Sequence, residues 1–294
     1  MNILAVDDEV FNLEILSEWL LDAGATVDSA ENGRHALEVL EAGERSYDAI
    51  LLDRMMPEMD GLEFLAEMKR HTQWQDIPVI MQSAAATVDE VQCALRAGIW
   101  YYLSKPFERR KLCSIIETAV TDYSLHAQLR NLASETKDSA GSNRSIELQS
   151  LTQAQEAAIQ LAGISAEPQK VVSGLYELLL NAIEHGNLEI TYNEKTRLLN
   201  EQLWLEEIER RLRRAPYSDR FVTVAVSEDE RGIHYRIKDQ GNGFKSKYYL
   251  QLQTHRAADN HGRGIAFANQ LSFSGVEFRG TGNEVCAFAA KDAA

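Results

Sequence analysis

Five short apolar runs within the first 120 residues are each followed by a stretch of helical period, and no other feature limits the fold as much. Ile3–Val6, Thr26–Ser29, Ala49–Leu52, Val79–Gln82 and Trp100–Leu103 read as strands. Phe11–Ala23, Arg34–Ala42, Gly61–His71 and Thr87–Ala97 are amphipathic and read as the helices between them. Such alternation implies βαβ crossovers, hence a doubly wound, five-stranded parallel sheet with helices on both faces. In sheets of this kind functional groups gather at the carboxyl ends of the strands.

The residues at those ends are the informative ones. Asp7 and Asp8 close the first strand and Asp53 the third, so three carboxylates converge on one rim. Clustered carboxylates need a neutralising cation, and an all-oxygen donor set suits Mg2+. Ser83 closes the fourth strand, and Lys105 follows the fifth. Taken singly, each acid reads as a helix cap or turn residue. Together they form a site for phosphoryl transfer to an aspartate.

These residues, with Met56-Pro57, Met59-Asp60-Gly61 and Lys105-Pro106, resemble the receiver domains of two-component signalling over about residues 1–122. The resemblance implies that Asp53 is the phosphoacceptor and that Asp8, Asp53 and the carbonyl of Met55 hold Mg2+, assisted by Asp7. Ser83 and Lys105 would bind the phosphoryl oxygens. Tyr102 falls at the switch aromatic, with core packing beside Trp100 and Tyr101 as the plain alternative. The Lys105–Pro106 peptide is cis in that family. A sensor histidine kinase is the implied phosphodonor.

A helix from about Phe107 is expected to run through Val120 and into Arg130. Ser134–Asn143, small and polar, is the natural linker. The expected organisation is therefore residues 1–122, a helical extension and linker over 123–143, and a second domain over 144–294. That domain opens with a strand at Ser145–Leu148 and a helix at Leu151–Ala162. A longer helix begins near Pro168, since proline suits a first helical turn. Glu194–Arg214 reads as one further helix with Leu198, Leu205, Ile208 and Leu212 on a stripe. Strands follow at Phe221–Ser227, His234–Lys238 and Val285–Ala290.

On the long helix Glu177, Asn181 and either Glu184 or His185 share a face, which reads as a solvated stripe or as a buried polar site. Asn181 could offer a neutral oxygen to Mg2+ and Glu177 could serve as a general base. Asp239-Gln-Gly241-Asn-Gly243 follows a strand. Its glycines permit close approach of a flat ring, and its acid can accept a hydrogen bond from an exocyclic amine. Gly262-Arg-Gly264 opens a helical segment suited to phosphates, and Gly280-Thr281-Gly282 leads into the last strand.

These four motifs, in this order, resemble the GHKL ATPases, whose fold is an α/β sandwich, and above all their anti-sigma-factor serine kinase branch. The resemblance covers about residues 144–292. It implies that ATP is bound, with Asn181 on Mg2+, Asp239 on adenine and Gly241 and Gly243 shaping the base pocket. Gly262 and Gly264 would bound the lid, Thr281 would lie near adenine and His185 would complete the site. Glu177 would be the catalytic base. Glu194–Arg214 is an insertion relative to compact serine kinases, fit to dock a partner, form a homodimer interface, cover the nucleotide or simply stabilise the surface. His126 lacks the acidic neighbour of an autophosphorylated histidine and reads as a surface residue.

Charge excludes some outputs. Residues 1–120 carry 22 acids and 10 bases, and the remainder 23 acids and 20 bases. Neither half has the basic excess of a nucleic-acid binder. Three scattered cysteines fit a reducing compartment. The acid-interrupted first residues are not a signal peptide, and no run approaches 18 apolar residues, so a cytoplasmic protein without a membrane partner is expected. The expected function is a response regulator whose output domain is a protein serine/threonine kinase acting on an anti-sigma-antagonist-like partner. The alternatives are a module that sequesters a partner without transferring phosphate, and a hybrid histidine kinase using His126.

Overall fold

The computed structural model describes residues 1–84, 93–94, 97–99, 101–136, 143–244 and 262–291. They fall into two compact units, one from Met1 to Leu125 and one beginning at His126.

In the first unit β1 (Asn2–Val6), β2 (Thr26–Ala30), β3 (Ala49–Asp53), β4 (Val79–Ser83) and β5 (Tyr101–Ser104) form a sheet in the order β2-β1-β3-β4-β5. All its pairings are parallel. Every residue of β3 and β4 is buried, as expected where helices cover both faces. The register sets Val6 beside Leu52, Asp53 beside Gln82 and Ser83 beside Ser104, so the carboxyl ends lie level. Helices α1 (Val10–Asp22), α2 (Gly33–Ala42) and α3 (Gly61–Met68) belong to this unit, and α4 (Arg109–Glu135) begins in it and passes into the second unit from His126. The Asn32 side chain caps α2, and Asp60 and Glu63 form a capping box on α3. Ile3, Leu51, Ile80 and Tyr101 pack with Leu16, Leu112 and Ile116 in the core.

The expected helix Thr87–Ala97 lies largely outside the described residues, as does Trp100; Cys93 and Ala94 are helical. Helix α4 continues to Glu135 and takes in the start of the expected linker. Ser134 does not break it, because its hydroxyl donates back to the Asn131 carbonyl.

The second unit has an antiparallel sheet in the order β6-β7-β8-β10-β9, comprising β6 (Arg144–Leu148), β7 (Val222–Glu228), β8 (Gly232–Lys238), β9 (Gly275–Arg279) and β10 (Glu284–Ala290). Its central strands alternate: Val222, Val224 and Val226, then Ile233, Tyr235 and Ile237, then Val285, Ala287 and Ala289 are buried. Helices α5 (Leu151–Ala162) and α6 (Pro168–Asn181) supply the apolar partner surface. The Tyr235 hydroxyl donates to the Leu161 carbonyl at 3.1 Å, tying strand to helix. Beyond Asn181 the chain makes a π-helical turn over Ala182–Asn187.

The insertion differs from expectation. It is two helices, α7 (Tyr192–Asn200) and α8 (Trp204–Leu212), each of nine residues. Gln202 between them has φ of 58°, and this left-handed residue resets the helical phase. The expected stripe is therefore broken: Leu198 and Ile208 are buried, Leu205 is exposed and Arg211 is buried instead. A last short helix, α9 (Gly264–Phe267), runs into a second π-helical turn, Ala268–Ser272. No helix among the described residues is long and apolar enough to cross a membrane.

Candidate functional site

At the carboxyl edge of the parallel sheet, the side chains of Asp7 and Asp53 are buried and converge on Lys105. The Lys105 ammonium donates to Asp7 Oδ2 at 2.7 Å and also to Asp53 Oδ1. Asp7 Oδ1 accepts from the Glu9 amide and the Asn12 side chain, at 3.0 and 3.1 Å. Asp53 Oδ2 accepts from the Met55 amide at 2.7 Å. Burial pushes the Asp53 carboxyl above its ordinary range; Lys105 and the Met55 amide oppose this, and Asp7 adds to it. Asp8 is exposed beside this pair, and Met55 is exposed as well. Ser83 is buried, and its carbonyl accepts from the Lys105 amide at 2.8 Å. Tyr102 is buried on β5, and the Lys105–Pro106 peptide is cis.

No three His, Cys, Asp or Glu side chains among the described residues stand close enough to hold a metal by themselves. Asp7, Asp8 and Asp53 are not gathered as one cage; Asp8 points outward and Lys105 neutralises the other two. Two carboxylates together with a peptide carbonyl and water nonetheless form the oxygen set that Mg2+ takes, since it retains several waters.

The second unit encloses a cavity of about 500 Å3 between α6 with its π-helical turn and the antiparallel sheet. Asn181, His185, Asp239, Asn242, Gly243, Gly262, Gly264 and Tyr192 line it, with Ile190, Ile237, Ile265, Phe278 and Val285 as apolar wall. The Asn181 side-chain amide donates to the Glu177 carbonyl at 2.7 Å, which makes Oδ1 the acceptor on its other side. Nδ1 of His185 lies 2.5 Å from the Ile190 carbonyl, so Nδ1 carries the proton. Burial holds that imidazole below its usual pKa, and Nε2 is an acceptor. Asp239 Oδ1 accepts from the Gly241 amide at 2.8 Å, and burial raises its carboxyl to about 6. A slot with an apolar wall, in which the carboxylate of Asp239, the carboxamide of Asn181 and the imidazole of His185 are among the polar groups, suits a flat heteroaromatic ring bearing an amine.

A family model described as the histidine kinase-like ATPase domain matches residues 142–288, and one described as the response regulator receiver domain matches residues 3–117. The chain belongs to the histidine kinase-like ATPase family, with a response regulator receiver domain ahead of it. Among curated relatives, the sensor histidine kinase CheAY of Helicobacter pylori is 30% identical over 118 residues, which is 40% of this chain and 15% of that protein. The transcriptional regulatory protein TcrA of Mycobacterium tuberculosis is 38% identical over 112 residues, 38% of this chain and 43% of TcrA. The chain therefore matches less than half the length of either. Among solved structures, chemotaxis protein CheY4 of Vibrio cholerae is 30% identical over 40% of this chain and 97% of its own, with a TM-score of 0.38.

Within the ATPase domain the predicted residues separate into two groups. Asn181, His185, Asp239, Gly243, Gly262 and Gly264 line the cavity. Glu177, Gly241 and Thr281 do not, and each has another contact. Gly241 packs on the backbone of Gly186, into which a Cβ on Gly241 would run, while a Cβ on Gly186 would meet the Asp239 side chain. Thr281 is exposed and packs against Gly243. Glu177 pairs with His126, whose Nε2 stands 3.2 Å from Glu177 Oε1. His126 is therefore not a surface residue: it is 4% exposed.

Tyr192, Gly186 and Asn242 also line the cavity and were not anticipated. Gly262, at φ of 89°, lies against the Tyr192 ring. Tyr192 follows the helix-capping Thr191, and a cap gives no hint of what the next side chain will face. Gly186 sits inside the stretch Asn181–Asn187, where an interior glycine was the one visible signal.

Proposed function

We propose that this response regulator takes a phosphoryl group on Asp53 from a sensor histidine kinase, and that its ATPase domain is a protein serine/threonine kinase. Its substrate would be a protein of the anti-sigma-antagonist type. The observation that carries the reading is the cavity, in which Asp239, Asn181 and His185 face one slot walled by isoleucines and glycines. Asp239 would accept from the adenine amine. Gly262 and Gly264 would flank the phosphates, and Asn181 Oδ1 would hold Mg2+ there. In the receiver Asp8, Asp53 and the Met55 carbonyl would hold Mg2+, with Asp7 assisting. The ion would neutralise phosphoryl oxygens in both sites. Ser83 and Lys105 would receive the oxygens of the phosphoryl group on Asp53, and Tyr102 would report its presence. In the transfer itself Glu177 would take the proton of a serine or threonine hydroxyl, whose oxygen attacks the γ-phosphorus as ADP leaves.

A second reading is favoured by one observation. The Glu177 carboxylate is bound to His126 and stands off the cavity wall. A domain with its base so engaged would bind nucleotide and a partner without transferring phosphate. The buried His126 gives little room for the hybrid histidine-kinase alternative, since a phosphoacceptor imidazole must meet ATP.

The deciding experiment uses the full chain with radiolabelled ATP, Mg2+ and candidate anti-sigma-antagonist proteins, with and without an acyl phosphate to load Asp53. Labelled phosphoserine or phosphothreonine that disappears in Glu177→Ala, while ATP binding persists, is the expected outcome. Partner binding that depends on ATP, with no transfer and no effect of Glu177→Ala, would establish the sequestering module. Failure to bind ATP would end both readings.

A further inference from the structure

His126 pairs with Glu177 beside the cavity, as Lys195 does with the buried Glu184, and the proposed reaction gives this imidazole no part. The imidazole is fixed from two sides: it stacks on Phe267 at 5.5 Å with a 24° interplanar angle, and it meets Tyr176 edge-on at 6.5 Å. Tyr176 immediately precedes Glu177 on α6, and Phe267 closes α9, the helix that opens with Gly264. On the other side Gly264 abuts the Glu177 carboxylate so closely that no side chain could stand there. The carboxylate is thus flanked by an imidazole edge and a glycine backbone, its side chain 21% exposed, whereas Asn181, one turn later, lines the cavity.

We infer that His126 is a positioning residue that restrains Glu177, holding its carboxylate on α4 and away from the nucleotide so that the domain binds ATP in a low-turnover state. The inference rests on the reading of Glu177 as the base. A general base must come within hydrogen-bond reach of the proton it accepts, with an oxygen to offer it. Here Oε1 already faces the imidazole nitrogen. The electrostatics act in the same direction. Burial alone would raise the Glu177 carboxyl, but His126, with Lys195 and Arg263, holds it below its ordinary value. A carboxylate held down in this way is a poorer proton acceptor. His126 lies on α4, the helix that starts at Arg109.

The test is steady-state phosphate release from ATP by the full chain, with water in place of the protein hydroxyl, alongside equilibrium binding of a fluorescent ATP analogue. His126→Phe keeps the stacked ring and removes the nitrogen donor. It should raise kcat about tenfold, a part of the roughly hundredfold or more that general-base catalysis contributes, with KM and analogue affinity changed less than twofold. The double variant His126→Phe/Glu177→Gln should fall back to or below the wild-type rate, because the gain passes through that carboxylate. His126→Leu is the second variant should phenylalanine not fold, and it must show the same gain. Analogue binding with kcat unchanged or lowered in these variants overturns the restraint and leaves the nucleotide site standing. A gain that survives Glu177→Gln overturns it too. Wild-type protein that fails to bind the analogue overturns the nucleotide reading first, and this inference with it.

Discussion

Asp239 shows how a single residue can serve a ligand at the expense of the fold. Its carboxyl is raised to about 6 from 3.8 because it is buried in an apolar slot, with the Gly241 amide, its own amide and Arg220 opposing. A group whose folded pKa is raised contributes its full stability below the unfolded value and loses it as pH climbs through the folded one. Asp239 therefore weighs against folding progressively between pH 4 and 6, and fully above that, by up to about 3 kcal/mol. Asp239→Asn keeps the acceptor for the Gly241 amide and should be more stable than wild type at pH 7, by about 1–3 kcal/mol. Denaturant titrations at pH 7 and pH 4 should show that advantage shrinking at the lower pH. The ionised acid is the stronger acceptor for an amine, so ATP affinity in the wild type should weaken as pH falls through 6. The Asn variant should bind ATP at least several-fold more weakly and lose this pH dependence. At the other site Lys105→Ala would leave Asp7 and Asp53 facing each other without a cation. A loss of about 2–3 kcal/mol is expected, allowing for the partial solvation of Lys105. Millimolar Mg2+ should restore part of it in thermal melts, by occupying the vacated position.

At the scale of elements, the first unit was legible because four of its five strands end at or just before a residue that carries chemistry, and a period of two switching to 3.6 marks those ends. The insertion was not. Leu198, Leu205, Ile208 and Leu212 fit one helical stripe on paper, but a left-handed Gln202 divides it, and nothing about a glutamine announces positive φ. Strand β9 escaped because none of its residues is fully buried. The link from His126 to Glu177 spans 51 residues, and no local pattern encodes it. What fastens the insertion is Arg211, in the last turn of α8. Its guanidinium donates to the Leu188 carbonyl and to Glu207, both at 2.7 Å, and also to Glu194. Arg211→Ala would strand a buried carbonyl and release two carboxylates, at a cost of about 3 kcal/mol. A melting temperature lower by about 6–10 °C follows for a unit of this size. Because Tyr192 at the head of α7 lines the cavity, ATP affinity should fall with it. Arg213→Ala serves as the control on the same helix: its bond to Glu209 is exposed, and the change should be silent to within about 0.5 kcal/mol. Equal effects of the two substitutions would show that the insertion is not held through Arg211.

For the whole molecule, the net charge of −15 and its concentration in the receiver fit a protein that meets other proteins rather than a polyanion. The larger question is whether the receiver and the ATPase domain share free energy. Linkage gives this a strict form: if a ligand on one domain changes affinity on the other, the second changes the first by the same factor. Beryllofluoride with Mg2+, a reversible mimic of the phosphoryl group on Asp53, and a non-hydrolysable ATP analogue make both measurements possible at equilibrium. Saturating beryllofluoride should shift the analogue's Kd by a factor between about 5 and 150 in either direction, and saturating analogue should shift the beryllofluoride Kd equally. Asp53→Asn should abolish the effect. If His126 is the element through which Asp53 acts, His126→Phe should shrink the beryllofluoride effect on ATP turnover while Asp53 still binds the mimic. Two affinities that ignore each other would mean that the receiver acts on some other step, such as the encounter with the protein substrate. In that case the restraint on Glu177 would be a fixed property of the ATPase domain and not a switch.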